Sequence, residues 1–176
     1  MALQTGPRRS PRRWLRWLAP LPLLIFTATL AADFASGQFA WRARRAFDAG
    51  DLAAARADAT AALAFSLLTA WPTFRGQGFF DAHLVLGQLA LRDGDLPAAE
   101  GHLLAAGRTG GSPVLGSFGP NMALALDLLQ RGDREPVLRF FTECRRFWWR
   151  QTATLDRWST EVQLGQTPEF GANLRY

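Results

Sequence analysis

The sequence predicts an all-helical fold in which short turns join helices in pairs, and three observations support this prediction. Three Gly-Asp dipeptides each follow one apolar stretch and precede another: Gly50-Asp51, Gly94-Asp95 and Gly132-Asp133. Alanine and leucine, which both favour helices, dominate between residues 40 and 130. No long run alternates apolar and polar residues with the period of two that is typical of strands.

Length and charge limit the class of protein. The 176 residues suit one compact domain with a tail. All 20 basic residues are arginine, and five of them lie within residues 1–16, a basic amino-terminal tail without any acid. Subtracting these five leaves 15 arginines, which balance the 15 acidic residues of the chain. A nucleic-acid-binding domain carries its positive charge on the fold, so we expect no nucleic-acid partner.

The segment 17–36 is predicted to be a transmembrane anchor or a signal segment. Residues from Trp17 to Ala32 carry no charge and follow the basic tail, an order typical of signal sequences and signal anchors. Sixteen helical residues reach only about 24 Å, against about 30 Å for a hydrocarbon core. Admitting Leu15 and Phe34, with the Arg16 side chain extended towards the lipid headgroups, lengthens the span. We favour a retained anchor over a cleaved signal, and both over a buried soluble helix.

Flanking residues predict the topology of such an anchor. Trp14 and Trp17 suit a membrane interface, and the adjacent arginines favour a cytoplasmic amino terminus. We expect a single pass through a bacterial cytoplasmic membrane, with the main domain in the periplasm. The charge bias is reduced by arginines on the other flank, Arg42, Arg44 and Arg45. Cleavage after Ala31 or Ala32 would instead release a secreted or periplasmic protein, and Arg12-Arg13 fits a twin-arginine signal poorly.

Small residues recur at fixed distances from the three turns. In each turn we expect Gly to end one helix with positive φ and Asp to cap the next. Seven residues before the Gly stand Ala43, Gly87 and Ala125, and five residues after it stand Ala55, Ala99 and Val137. Ala62, Ala106 and Cys144 follow at twelve residues. Small side chains at these positions allow two antiparallel helices to approach closely.

This pattern resembles the tetratricopeptide repeat, and the resemblance covers about residues 38–150. The middle unit matches best, through Leu86-Gly87, Ala90, Gly94-Asp95, Ala99, Leu103 and Ala106. The turns are 44 and 38 residues apart, against about 34 in the family. The resemblance implies a short α-solenoid of about three hairpins, with a partner-binding groove lined by the first helix of each hairpin. The implied groove residues are Arg44, Phe47, Leu84, Gln88, Leu91, Met122, Leu126 and Leu129. The basic and asparagine residues that a groove of the two-carboxylate-clamp type would need are mostly missing.

We predict helices at about 34–48, 52–70, 80–92, 96–106, 120–131, 134–149 and 153–164. The hairpin domain then spans 37–150, with surface loops at 71–78 and 107–120. Residues 151–176 are predicted to form a capping helix and a tail, and the helix carries Leu155, Trp158 and Val162 on one face. The tail is expected to be held to the body through Phe170, Leu174 and Tyr176.

Aromatic residues and arginines alternate near the end of the third unit. Phe141, Cys144 and Trp148 share one helical face and are expected in the core, which makes Cys144 a structural thiol. Beside them we predict a membrane- or partner-contact patch of Arg139, Arg146, Trp149 and Arg150, since exposed tryptophan and arginine favour interfaces. The same residues are also consistent with arginine stems covering a core stripe.

The sequence contains no motif that indicates catalysis, a metal or another cofactor. His83 and His102 are 19 residues apart and form no recognised metal spacing, and the Gly-rich loop lacks a lysine. We therefore expect a non-catalytic, membrane-anchored scaffold or adaptor that holds protein partners, such as an accessory subunit of a membrane complex. The alternatives are a cleaved soluble binding module and, less favoured, an enzyme that uses the loops 71–80 and 107–120.

Overall fold

The computed structural model describes residues 21–68 and 76–174, and within these two ranges it contains helices and no strand. Their bounds are α1 Leu21–Asp48, α2 Leu52–Leu67, α3 Gly76–Asp93, α4 Leu96–Gly107, α5 Pro113–Phe118, α6 Ala123–Gln130, α7 Glu135–Cys144 and α8 Thr152–Gln163. Two 3-10 turns complete them, at Trp149–Gln151 and Gly171–Leu174. The all-helical prediction is confirmed for this part of the chain.

Helix α1 joins the apolar segment and the first repeat helix without a break. The sequence predicts a helix start near residue 34, but the structure continues one helix from Leu21 to Asp48. The helix passes through the boundary drawn between residues 36 and 37. It is long and apolar enough to cross a membrane, with a mean hydropathy of 1.3 over its best 18 residues. Buried positions begin at Ala32 and recur every three or four residues to Phe47, so the carboxyl half packs on the body.

The first two turns have the same backbone geometry. Gly50 and Gly94 adopt φ of 81° and 80°, where a side chain would be strained. The N–H of Asp51 donates to the carbonyl of Ala46 and that of Asp95 to the carbonyl of Ala90, each at 2.9 Å. These are Schellman bonds that close the preceding helix. Each Asp also accepts a 3.0 Å bond from the N–H three residues later, and both predicted N-caps are confirmed.

In the third turn, the prediction that Asp133 caps the following helix is wrong. Gly132 ends α6 with φ of 83°, as expected. However, α7 begins at Glu135, and its N-cap position, Arg134, makes no side-chain capping bond. The residue three after Asp133 is Pro136, which has no N–H to donate. Proline therefore removes the hydrogen bond that makes Asp an N-cap in the other two turns.

The helices pack around two hydrophobic clusters on opposite sides of α3. The amino-terminal cluster joins α1, α2 and one side of α3, and six of its ten buried residues are alanine: Ala40, Ala43, Phe47, Ala55, Ala59, Ala62, Ala82, Val85, Leu86 and Leu89. The carboxy-terminal cluster joins the other side of α3 to α4–α8 and the tail, and it contains Phe80, Phe140, Phe141, Phe147, Trp148, Trp158 and Phe170. Helix α3 is thus the shared central element.

Glycines on α3 allow the closest helix contacts. A Cβ at Gly78 would lie 2.7 Å from the backbone carbon of Ser36 on α1. A Cβ at Gly87 would lie 2.3 Å from a methyl of Leu124 and 3.2 Å from the Cβ of His102 on α4. The small residues predicted to face each other across the three turns are all buried: Ala43, Ala55, Gly87, Ala99, Ala125 and Val137.

The second predicted loop contains a short helix, and the tail is held to the body through Phe170 and Asn173. Ser112 caps α5 by accepting a 3.0 Å bond from the N–H of Leu115, with Pro113 in the first turn. Phe170 is buried, and the amide of Asn173 donates to the carbonyls of Phe118 and Pro120. Leu174 remains partly exposed, while Tyr176 and residues 71–75 of the first loop lie outside the described residues.

Candidate functional site

A chain of polar side chains crosses the first helix of each of the three pairs. Arg44 on α1 donates to the Gln88 amide oxygen on α3 at 2.7 Å. The Gln88 amide nitrogen in turn donates to an Asp127 carboxylate oxygen on α6 at 3.0 Å. Gln88 therefore uses both ends of its amide to connect its two neighbours. We call the surface formed by α1, α3 and α6 around this chain the inner face.

A cavity of about 260 Å³ opens on the inner face beside Gln88. Its lining combines two apolar side chains with four polar or charged ones: Phe47, Leu91, Gln88, Arg92, Asp127 and Arg131. Arg92 lies over the Phe47 ring, 4.4 Å from its centroid, and Arg44 lies 5.8 Å from the same centroid. Two guanidinium groups thus flank one aromatic ring, an arrangement that favours both cations.

The arginines around the cavity keep donors available. Arg131 donates from Nη1 to the backbone carbonyl of Asp127 at 3.1 Å, an intrahelical bond at the exposed end of α6. Each guanidinium has five N–H donors, so the bonds of Arg44 and Arg131 engage only part of their capacity. With Asp127 as the acid of the lining, Arg92 and Arg131 give the cavity a positive balance. Such a site can bind a carboxylate beside an apolar group.

A second polar group on α3 centres on Asp81, which lies seven residues before Gln88, towards the start of the helix. Gln77 donates to its carboxylate at 2.9 Å, and Ser112 is hydrogen-bonded to Gln77 at 2.9 Å. Burial raises the pKa of Asp81 to about 6, against the opposing influence of the Gln77 bond and the Arg44 charge. A buried carboxyl with this pKa is partly protonated near neutral pH and changes charge in mildly acidic solution.

Four of the eight predicted groove residues meet on this face, and the other four belong to the carboxy-terminal cluster or pack against it. Arg44, Phe47, Gln88 and Leu91 surround the cavity or its polar chain. Leu84 and Met122 are 1% and 0% exposed, so both belong to the carboxy-terminal cluster and offer no surface to a partner. Leu126 is partly exposed and packs against that cluster, as does the buried Leu129.

The inner face also contains three residues that sequence reasoning missed: Arg92, Asp127 and Arg131. Arg92 follows Leu91, and Asp127 and Arg131 are four residues apart on one helix face. The i,i+4 spacing of an acid and an arginine was a usable signal for a shared helical face. Their meeting with Gln88 depends on the packing of α6 against α3, which no local pattern encodes.

The predicted patch near the end of the third unit is divided in the structure. Arg139 is exposed on α7, and its charge opposes the rise in the pKa of the Glu100 carboxyl on α4. Arg146 pairs with Glu143 at 2.7 Å, beyond the end of the helix at Cys144. Trp149 is 63% exposed and stacks with Arg150, whose guanidinium carbon is 4.8 Å from the ring centroid. Only this last pair presents an aromatic surface of the kind predicted for the patch.

Phe141, Cys144 and Trp148 are buried, as the sequence predicts for the core stripe. Phe140 is also fully buried and packs on Phe80 of α3. Burial raises the pKa of the Cys144 thiol well above its usual value. A thiol that is both inaccessible and protonated suits a structural residue.

The two histidines, far apart in sequence, are neighbours in space. Their Nδ1 atoms are 2.8 Å apart, so one neutral ring donates to the other. Burial and the His102 ring lower the pKa of His83 to about 4, and burial lowers that of His102. Within the described ranges no group of three His, Cys, Asp or Glu side chains is placed to hold a metal ion. The histidine pair is a partly buried polar contact between α3 and α4.

Comparisons with other proteins add no family assignment. No family model matches the sequence, and no curated protein or solved structure shows significant similarity to it. The predicted interface residues Trp14 and Trp17 lie outside the described residues.

Proposed function

We propose that this chain is a non-catalytic, membrane-anchored adaptor whose helix pairs form a tetratricopeptide-like array that binds another protein at the inner face. The observation that carries the proposal is the Arg44–Gln88–Asp127 chain, which connects the first helices of all three pairs beside a cavity. Binding there would use one surface assembled from three repeats, the mode that repeat arrays favour.

The chemistry of the cavity defines the kind of segment that it would bind. Arg92 and Arg131 favour a carboxylate, and Phe47 with Leu91 favours an adjacent apolar side chain. We therefore propose an acidic segment that carries at least one large apolar residue. Asp127 disfavours a second negative charge at its own end of the cavity, which would fix the orientation of the segment.

Membrane attachment through α1 supports the adaptor role. The amino-terminal part of α1 from Leu21 to Leu30 is exposed and apolar, and the packed part follows directly on the same helix. A rigid helix of about 42 Å would hold the inner face at a fixed distance from the bilayer. The proposed topology has a cytoplasmic amino terminus and a periplasmic main domain.

A cleaved, soluble binding module is the second candidate, and one observation favours it. The residues of α1 that pack on the body begin at Ala32, next to the predicted cleavage positions. Removal of the preceding residues would leave the packing of α1 intact. In this case the inner face would keep its binding role without the membrane.

Site-specific photo-crosslinking in the native host tests the binding role. A benzoylphenylalanine at Arg92, on the inner face, is compared with one at Arg157, an exposed arginine of α8 that pairs with Glu161. We expect one discrete adduct from Arg92, absent from Arg157 and lost when Arg131→Ala is added. Identical adducts from both positions, or none from Arg92, would contradict the proposal.

A further inference from the structure

We propose that the carboxyl end of α2 inserts into the bilayer beside α1, so that lipid covers its exposed leucines. This inference rests on the proposed membrane attachment and adds a second contact to it. Leu67 and Leu68 are 70% and 65% exposed at the end of α2. The sequence around them has no charge from Ala59 to Phe74. Adjacent exposed leucines in an uncharged run are unusual on a water-facing surface.

The register between α1 and α2 places these leucines beside the apolar half of α1. The Ser36 hydroxyl donates to the carbonyl of Ala62 at 2.9 Å, which aligns the two helices. Further along, Phe65 and Leu68 share an open cleft of about 660 Å³ with four alanines of α1: Ala28, Ala31, Ala32 and Ala35. A bilayer that covers α1 from Leu21 to Ala31 therefore also reaches Leu68.

Charges stop at the same level on both helices. Arg42 of α1 pairs with Asp58 of α2 at 3.3 Å. From Ala59 to Leu68, α2 carries no charge, and from Leu21 to Trp41, α1 carries only Asp33. The exposed apolar part of α1, from Leu21 to Ala31, covers about 15 Å along a helix, which is about half the thickness of a hydrocarbon core. A shared charge boundary is what a membrane surface imposes on neighbouring helices.

Aromatic residues mark the same level. Trp41 is 56% exposed, and the Arg45 guanidinium lies 4.7 Å from its ring centroid. Phe39 stacks on Phe65 at 5.3 Å, and Arg42 lies over the Phe39 ring. Tryptophan beside arginine is typical of the headgroup region. Asp33 lies eight residues, or about 12 Å, from Trp41 and is partly buried, which limits its exposure to lipid.

Depth-dependent fluorescence quenching tests this contact in the full-length chain. Single cysteines labelled with an environment-sensitive dye are placed at Leu67, at Leu23 on α1 and at Leu164 after α8. Leu164 is 71% exposed and so matches Leu67 away from the proposed membrane contact. The unsubstituted chain controls for Cys144, which is buried. The protein is reconstituted alone into vesicles of phosphatidylcholine and phosphatidylglycerol that carry nitroxides on their acyl chains.

The expected result is that Leu67→Cys loses fluorescence to nitroxide lipids as Leu23→Cys does, while Leu164→Cys keeps it. Quenching at Leu23 without quenching at Leu67 would overturn the inference and leave the anchor in place. A lack of quenching at both positions would overturn the anchor as well. Equal quenching at Leu67 and Leu164 would indicate nonspecific adsorption of the whole domain and would also overturn the inference.

Discussion

The two hydrophobic clusters on either side of α3 are built from different side chains. The amino-terminal cluster contains Ala40, Ala43, Ala55, Ala59, Ala62 and Ala82, which bring helices close but bury little area each. The carboxy-terminal cluster contains four phenylalanines and two tryptophans besides Phe170. Burial of an aromatic side chain stabilises a fold far more than burial of a methyl group. The comparison indicates that the carboxy-terminal half supplies most of the stability, while close packing in the amino-terminal half orients α1.

The largest effect is expected from truncation in the aromatic cluster. Phe141 is fully buried, and its ring contacts Trp158 and Phe170 at centroid distances of 6.1 and 6.2 Å. We expect Phe141→Ala to lower the free energy of unfolding by about 3–5 kcal/mol. Leu164→Ala, at a 71% exposed position, is the control and should change it by less than about 0.5 kcal/mol. Similar losses in both variants under urea denaturation would contradict the comparison.

Opposing pH dependences are expected from Asp81 and His83. The pKa of His83 is lowered to about 4. The stability that its neutral ring contributes is therefore present above the ordinary pKa of 6.5 and is lost as the pH falls towards 4. The pKa of Asp81 is raised to about 6. The stability that its protonated carboxyl contributes is therefore present below the ordinary pKa of 3.8 and is lost as the pH rises through 6. Each linkage amounts to at most about 3 kcal/mol.

Two variants separate these linkages. In the unsubstituted chain the two slopes partly cancel between pH 4 and 6, as these pKa values require. Asp81→Asn should make stability fall more steeply on acidification, and His83→Asn should make it fall less or rise. Urea titrations at several pH values measure both slopes, and unchanged slopes in the variants would be inconsistent with these assignments.

Overpacking tests the close approach in the alanine-rich cluster. Ala59 is fully buried between helices, so we expect Ala59→Leu to destabilise the fold by about 1–3 kcal/mol. Ala64, exposed on the same helix, provides the control substitution Ala64→Leu with little expected effect. Thermal unfolding distinguishes them. If Leu were tolerated equally at both positions, the helices would not be as closely packed as described.

The smallest effects are expected at the turns. Asp51→Ala and Asp95→Ala each remove a capping bond and should cost about 1 kcal/mol. Asp133→Ala removes no capping bond. It also removes the repulsion between the Asp133 charge and the Glu100 carboxyl, whose pKa is raised by burial and by that charge. Chemical denaturation should therefore show Asp133→Ala to be neutral or stabilising. A loss equal to that of the other two would mean that Asp133 does cap α7.

The sequence was sufficient for features that local chemistry determines. Glycine at positive φ and Asp before a free N–H account for the first two turns, and the aromatic stripe predicted the burial of Phe141, Cys144 and Trp148. The prediction that Asp133 caps α7 was wrong because Pro136, three residues later, has no N–H to donate. Ser112-Pro113 is a local signal for the start of α5, which lies within the loop predicted at 107–120.

The candidate site was harder to predict from the sequence because it depends on helix packing. Arg44, Gln88 and Asp127 belong to three helices, and their hydrogen bonds form only when α1, α3 and α6 lie side by side. The same holds for His83 and His102, whose pairing requires α3 and α4 to meet at Gly87. The resemblance to the tetratricopeptide repeat implied that Leu84 and Met122 line a groove, but neighbouring helices cover them.

The most direct test of the account is the mass and location of the mature chain, because the anchor and the soluble alternative differ in both. The protein is isolated from its native host, separated into membrane and soluble fractions, and measured by intact mass spectrometry. We predict that the chain is in the membrane fraction and retains residues 21–31, the exposed amino-terminal part of α1. A soluble chain that begins at Ala32 or Asp33 would contradict the membrane anchor and favour the cleaved binding module.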